Sequence, residues 1–251
     1  MNKGKLYLIP APLDFGCQQI APIQDVMPLR TLQIAASLGY FVCENAKSTR
    51  AYLKRVGEVV SLRQPIQALQ IQELPREVHK KGDHTGNFDA RPLLKSALDG
   101  HDIGLVSEAG MPAIADPGSS VVRAAHDLDI EVIALTGPMS LILALASSGL
   151  NGQNFAFVGY LPQDSGERSV RIKALESIAL KTGQAQIFIE TPYRNAALLQ
   201  ALLQTLQSNT RLAISCGLTL DTAWNKSATV DKWKKDKPMP LGLPAVFCIG
   251  C

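Results

Sequence analysis

The stretch with the most chemistry in it is Ser107-Glu-Ala-Gly-Met-Pro-Ala-Ile-Ala-Asp-Pro-Gly118. It follows Ile103 to Val106, an apolar run with the length and branching of a buried strand. A helix start comes next. Asp116 is placed to cap it, Pro117 suits the first helical position, and Val121, Val122 and Ala125 begin an apolar stripe. Two carboxylates, Glu108 and Asp116, therefore sit on a Gly/Pro-stiffened turn at the carboxyl end of a strand, the edge where open α/β sheets bind ligands. Capping accounts for Asp116, and a positive-φ turn accounts for Gly110. Neither need explains Glu108, the candidate for ligand contact or proton transfer. A second candidate, Glu190, ends a later strand and is read either as a proton acceptor or as the ion-pair partner of Arg194.

Other chemistries are disfavoured. The cysteines are Cys17, Cys43, Cys216, Cys248 and Cys251. Only the last two are spaced C-x-x-C, without a second pair or nearby histidine, so metal binding is not expected and free thiols in a reducing cytoplasm are. No G-x-G-x-x-G follows the first strand, and no G-x-x-x-x-G-K-S/T or G-x-S-x-G occurs, which argues against nicotinamide, P-loop and serine-hydrolase chemistry. Val132 to Leu150 is broken by Thr136-Gly137-Pro138, so no membrane span is expected. A net charge of +3 does not announce a polyanion partner.

Strand and helix patterns must position these turns. With 46% hydrophobic and 19% charged residues, the 251-residue chain is globular. Leu6 to Ile9 and Tyr40 to Cys43 read as strands, Pro28 to Leu38 as a helix stopping at Gly39, and Glu44 to Arg55 as the start of a basic helix. Ile66 to Leu74 reads as a strand, and Pro75 to Asp89, with Lys80-Lys81-Gly82-Asp83-His84, as a mobile loop. A helix near Arg91 to Leu98 precedes the central strand, and the strand Glu131 to Leu135 leads into an apolar helix through Ala146. Later strands are expected at Phe155 to Tyr160, Gln186 to Ile189, Arg211 to Ser215 and Ala245 to Ile249. Helices are expected at Glu167 to Leu180, capped by Asp164, and at Ala196 to Leu206. Alternating strands and helices predict two α/β domains: residues 1–147 with a mostly parallel sheet, and 148–251 with a mixed one.

Four strand-end turns, Pro10 to Phe15, Ser107 to Ala113, Thr136 to Leu141 and Glu190 to Arg194, together resemble the tetrapyrrole methylase superfamily. Within it the chain is most similar to the small-subunit ribosomal RNA (cytidine-2′-O)-methyltransferases, whose S-D-A-G-T-P-x-I-x-D-P-G matches the central stretch. Their P-G-P-S-A matches Thr136-Gly-Pro-Met-Ser140, and their C-E-D-T-R-H-T-R matches Cys43-Glu-Asn-Ala-Lys-Ser-Thr-Arg50. G-F-L-P matches Gly159-Tyr-Leu-Pro162, and F-Y-E-S-P-H-R matches Phe188-Ile-Glu-Thr-Pro-Tyr-Arg194. Departures include Glu108 for Asp, Asn45 for Asp, and Cys216-Gly217 for an Arg–Glu pair, which mark a divergent member.

The resemblance implies two α/β domains with a cofactor cleft between them, and S-adenosylmethionine as methyl donor. The implied donor contacts are Pro12, Leu13, Ser107, Glu108, Gly110, Met111, Pro112, Ala113, Met139, Ser140, Leu141, Ile189, Cys216, Gly217, Leu218 and Ala245. Glu108 or Glu190 would handle the acceptor proton, and Lys47, Arg50, Arg168, Arg171 and Lys173 would line a basic substrate rim. It further implies a cytoplasmic homodimer acting on ribosomal RNA or the small ribosomal subunit. A tetrapyrrole, another small molecule or a protein as acceptor, or an inactive cofactor-binding paralogue, stays open.

Overall fold

The computed structural model describes every residue except 1, 15, 82 and 84–87, with the backbone alone at 79–81. Residues 1–16 and 20–139 form one compact unit, and 17–19 with 140–251 form a second.

In the first unit the order is β1 (Leu6–Ile9), α1 (Ile23–Val26), α2 (Leu29–Ser37), β2 (Tyr40–Cys43), α3 (Ala46–Gly57), β3 (Gln70–Glu73), α4 (Arg76–Lys81), α5 (Lys95–Leu98), β4 (Ile103–Val106), α6 (Ser119–Asp127) and β5 (Val132–Ala134). The strands form an all-parallel sheet in the order β3-β2-β4-β1-β5. Alternate residues feed two cores. Ile9, Phe41, Cys43 and Val106 pack with α2 and α3, whereas Leu6, Val42, Ile103 and Leu105 pack with α5 and α6. Burial on both faces explains why these strands read as continuous apolar runs. Gly104 on the central strand has no room for a side chain, since a Cβ would lie 2.6 Å from Ile9 Cδ1.

The second unit runs α7 (Ser140–Ser148), β6 (Phe155–Tyr160), α8 (Ser165–Thr182), β7 (Ala185–Glu190), α9 (Asn195–Thr205), β8 (Arg211–Cys216), β9 (Trp224–Thr229), α10 (Val230–Lys235) and β10 (Ala245–Gly250). Its sheet is mixed, β6-β7-β10-β8-β9, with only β6 and β7 parallel. Ile172 and Leu175 of α8 and Leu198 and Leu202 of α9 cover a face carrying Phe188, Leu212, Ile214 and Phe247. Asp164 caps α8 by accepting from Glu167 N, as its spacing predicts.

Four expectations are corrected. The break expected after residue 147 falls after 139, because α7 belongs with the second sheet: Ser147 Oγ lies 3.2 Å from Ser215 Oγ and donates to Asn225 Oδ1. The strand expected from Ile66 begins only at Gln70, after a 3-10 turn. Part of the expected loop 75–89 is the helix α4, while Gly82 and His84 lie outside the described residues. Most consequential, Asp116 makes no capping bond to α6, whose N-cap residue is Gly118. The cap arrives from a distant segment: Asp83 is buried and accepts from Gly118 N and Ser120 N, both at 2.9 Å, and from Ser119 Oγ at 2.7 Å.

Burial alone would raise the Asp83 carboxyl, but the donors from Ser120, Ser119 and Gly118 outweigh it and hold it below the usual carboxylate range. Asp83→Ala should therefore cost about 1–2 kcal/mol in urea unfolding at neutral pH. That contribution is present above the unfolded carboxylate pKa of about 3.9 and is lost as pH falls through the lower folded value. A loss on Asp116→Ala instead would restore Asp116 as the cap.

Candidate functional site

In the first unit three strand-end turns are tied together. After β1, Ala11 exchanges two backbone hydrogen bonds with Gly110 in the turn after β4, each 2.9 Å. Gly110 has φ +70°, and a Cβ there would meet Leu13 Cδ2 at 3.4 Å and Pro138 O at 3.7 Å. The turn after β5 is seated on the first one: a Cβ on Gly137 would lie 2.5 Å from Pro10 Cβ, and Thr136 O accepts from Thr31 Oγ1. Pro12, Leu13, Ser107, Gly110 and Pro138 thus cluster at one edge of the sheet. Ala113 and Ala115 hold positive φ of 66° and 65°. For residues with a Cβ this is a strained conformation of the kind concentrated at functional turns.

Freed from capping, Asp116 is half-buried within range of two other carboxylates, Glu108 and Glu44. Glu44 follows β2, and its Oε2 accepts from Glu108 N at 3.4 Å. Burial first, then repulsion from Glu44 and Glu108, pushes the Asp116 carboxyl up to about 7, against a hydrogen bond from Ser107. Glu44 was not among the residues singled out from sequence. Its sequence signals are its match to the Glu of the C-E-D-T-R-H-T-R pattern and its place at the end of a strand that proves adjacent to β4.

Beside this turn is a largely apolar cavity of about 690 Å³. Met111, Pro112, Ala113 and Met139, all candidates from sequence, line it together with Leu8 and Ala134. Arg123, His126 and Asp127 of α6 supply a polar wall that the sequence did not flag.

In the second unit, Glu190, Ala245 and Cys216 are register partners in one row across β7, β10 and β8. Glu190 is buried, and its Oε1 accepts from Arg194 Nε and Nη2 (3.0 and 2.7 Å) and from Thr191 N. The ion pair with Arg194 is present. Cys216 is buried, and burial raises its thiol. Gly217 has φ +65° and lies so close to Leu243 that a Cβ would be 2.7 Å from Cδ1. Ser140 and Leu141 open α7, with Leu141 buried, and Ile189 and Leu218 are half-buried. Of the basic candidates, Lys47 and Arg50 are exposed at i, i+3 on α3, and Arg168 and Arg171 share a face of α8 at the same spacing. Lys173 is exposed but off that face. No group of three or more described His, Cys, Asp or Glu residues is arranged to hold a metal, and no described helix is long and apolar enough to cross a membrane.

The model of the family described as Tetrapyrrole (Corrin/Porphyrin) Methylases matches residues 24–223. A ribosomal RNA small subunit methyltransferase I from Mesorhizobium japonicum is 31% identical over 215 residues, covering 85% of this chain and 63% of that protein. One of the same name from Micromonospora olivasterospora is 34% identical over 220 residues, covering 88% and 61%. The chain thus spans about three fifths of the length of these relatives. Among solved structures, the methyltransferase CobJ superposes with a TM-score of 0.58 at 16% identity, covering 98% of this chain and 94% of that one, a likeness of fold.

The position of Asp116 has a measurable consequence. Its folded pKa of about 7 lies above the unfolded value of about 3.9, so between those pH values only the folded chain keeps the proton. Stability contributed by that proton is lost as pH rises towards 7. Asp116→Asn should melt above wild type, with the gap growing from pH 5 to 7 and then levelling. A gap independent of pH would place Asp116 in an ordinary solvated setting.

Proposed function

The chain belongs to the tetrapyrrole (corrin/porphyrin) methylase family, and on that premise we propose that it is a methyltransferase using S-adenosylmethionine to methylate a ribose 2′-hydroxyl of small-subunit ribosomal RNA. One observation carries the donor assignment: the turns after β1, β4 and β5 meet at Gly110, which is hydrogen-bonded to Ala11 through both its N–H and its C=O and lies close to Leu13 and Pro138. The acceptor class is taken from relatives named ribosomal RNA small subunit methyltransferase I.

These residues fit the donor's chemistry. The donor is cationic at its sulfonium and its ammonium, and the carboxyl groups of Glu44, Glu108 and Asp116 gather at this turn. Burial and then mutual repulsion keep Asp116 protonated there, and a bound cation would relieve the repulsion. Met111, Pro112, Ala113 and Met139 offer apolar surface. Bound there, the donor supplies an activated methyl group. The chain's own task is then mainly alignment, which is where most of such a rate enhancement resides. In this reading Pro12, Leu13, Ser107 and Gly110 hold the donor, and Ser140, Leu141, Ile189, Cys216, Gly217, Leu218 and Ala245 contribute further contacts by family resemblance. Glu108 accepts or orients the acceptor proton. Glu190, held by Arg194, orients more than it accepts. Lys47, Arg50, Arg168, Arg171 and Lys173 serve phosphates. A homodimer through a surface that includes the exposed Leu29 of α2, and a cytoplasmic setting, complete the proposal. The buried, uncharged Cys216, standing where the family has an Arg–Glu pair, favours a second reading: the same donor with another acceptor, or a paralogue without activity.

Glu108→Ala should lower turnover at least tenfold while changing stability by less than about 1 kcal/mol, since no core packing depends on it. Calorimetry with S-adenosylmethionine and S-adenosylhomocysteine tests the donor, and nucleoside analysis of ribosomal RNA from cells with and without the gene tests the acceptor. No heat with either adenosyl ligand ends the proposal. Heat without a missing ribose methyl moves it to the second reading.

A further inference from the structure

The net charge is unevenly divided. The first unit has 14 Lys/Arg and 15 Asp/Glu and nets −1, whereas the second has 11 and 7 and nets +4. Most of the second unit's acids are already engaged. Glu176 and Glu190 are buried, Asp164 caps α8, and Asp231 and Asp236 pair with Lys235 and Lys226. Within α10 and the two residues after it, Lys232, Lys234 and Lys237 are exposed and make no ion pair within 4 Å among the described residues. Lys232 acts on Asp236 only at longer range. The helix is turned this way by Trp233, which is buried, donates from Nε1 to Leu212 O at 2.8 Å and carries Lys226 Nζ 4.2 Å above its ring.

Of these lysines, Lys234 lines a groove of about 500 Å³ between α9 and the segment after α10, and Lys237 directly precedes the lining residue Pro238. Leu199 and Leu203 form one wall, Pro238, Met239 and Leu241 the other, and Lys234 stands at the rim. Gln200 and Gln204, i and i+4 on α9, face it with amides that each both donate and accept. Asn195 pins the far wall, donating from Nδ2 to Leu241 O and Leu243 O at 3.1 and 2.9 Å. Apolar walls, paired amides and an unpaired cation at the rim, with two more on the adjoining segment, match the three parts of one nucleotide: base face, base edge and phosphate.

We propose that the groove between α9 and residues 238–241 is a docking site for an unstacked nucleotide of single-stranded RNA, with Lys232, Lys234 and Lys237 holding the flanking phosphates. None of the basic residues of α3 and α8 lines this groove, and the proposal rests on the reading of the acceptor as RNA. An acidic or amphipathic protein segment is the competing occupant. The excess positive charge and the amide pair favour RNA.

The test uses the full chain and a fluorescein-labelled twelve-nucleotide single-stranded RNA carrying 4-thiouridine. Binding is measured by anisotropy at several salt concentrations, and photo-crosslinks are mapped by mass spectrometry. Lys232→Gln, Lys234→Gln and Lys237→Gln together should weaken binding at least tenfold and flatten the log–log salt slope by about two, at about 0.7 per phosphate on a single strand. Gln200→Ala with Gln204→Ala, both at exposed positions, should weaken binding several-fold without changing the slope. Crosslinks should fall in 196–204 or 234–241. Unchanged affinity and slope in the lysine variant, or crosslinks confined elsewhere, overturns the proposal and leaves the groove to a protein partner. Calorimetry with S-adenosylhomocysteine on the same variants separates the two readings. Intact donor binding with unaltered RNA binding sinks the docking site alone, and RNA loss in a protein that binds no adenosyl ligand sinks the methyltransferase reading alone.

Discussion

Two backbone hydrogen bonds between Ala11 and Gly110 join the turns that leave β1 and β4. Everything proposed for the first unit depends on that junction. Parallel strands deliver their carboxyl ends to one edge, but they do not by themselves bring the following turns into contact. Gly110 does so by adopting a left-handed conformation, φ +70°, that residues with a Cβ rarely take. A different constraint acts at Gly137, where a Cβ would lie 2.5 Å from Pro10 Cβ, so the turn after β5 is seated by close contact. The turns are therefore joined through backbone, a rigid frame suited to a reaction that needs alignment more than proton traffic.

Much of this was legible in the sequence because its signals are local. The apolar run Ile103 to Val106, the Gly/Pro turn after it and the Asp164 cap each depend on neighbours within a few residues, and each is found where the pattern puts it. What escaped was non-local. Asp83 lies far from α6 in the chain, in a stretch with no periodicity, yet it takes the capping role that the Asp116-Pro117 pair advertises. The strand β9 hid because it is an edge: of its six residues only Ala228 is buried, so no apolar alternation marks it.

The carboxylate group illustrates the same limit at the site itself. Glu108 stood out because no structural need explains it, whereas Glu44 became meaningful only once β2 and β4 proved to be neighbours. Burial first, and then their proximity, makes Asp116 a group that keeps its proton near neutral pH. Charge is also partitioned by unit, with acidic groups gathered at the turns of the first and the excess of lysine and arginine in the second. A modest overall charge conceals this division, which suits a cationic donor at one place and a polyanion at another.

The central claim is that the turns joined through Ala11 and Gly110 hold the donor. Amide hydrogen exchange with and without saturating S-adenosylhomocysteine tests it directly. The account predicts slowed exchange in residues 10–14, 107–113 and 136–141, with the outer strand β9 unchanged. Saturable binding that leaves those three segments exchanging at their free rates would contradict it.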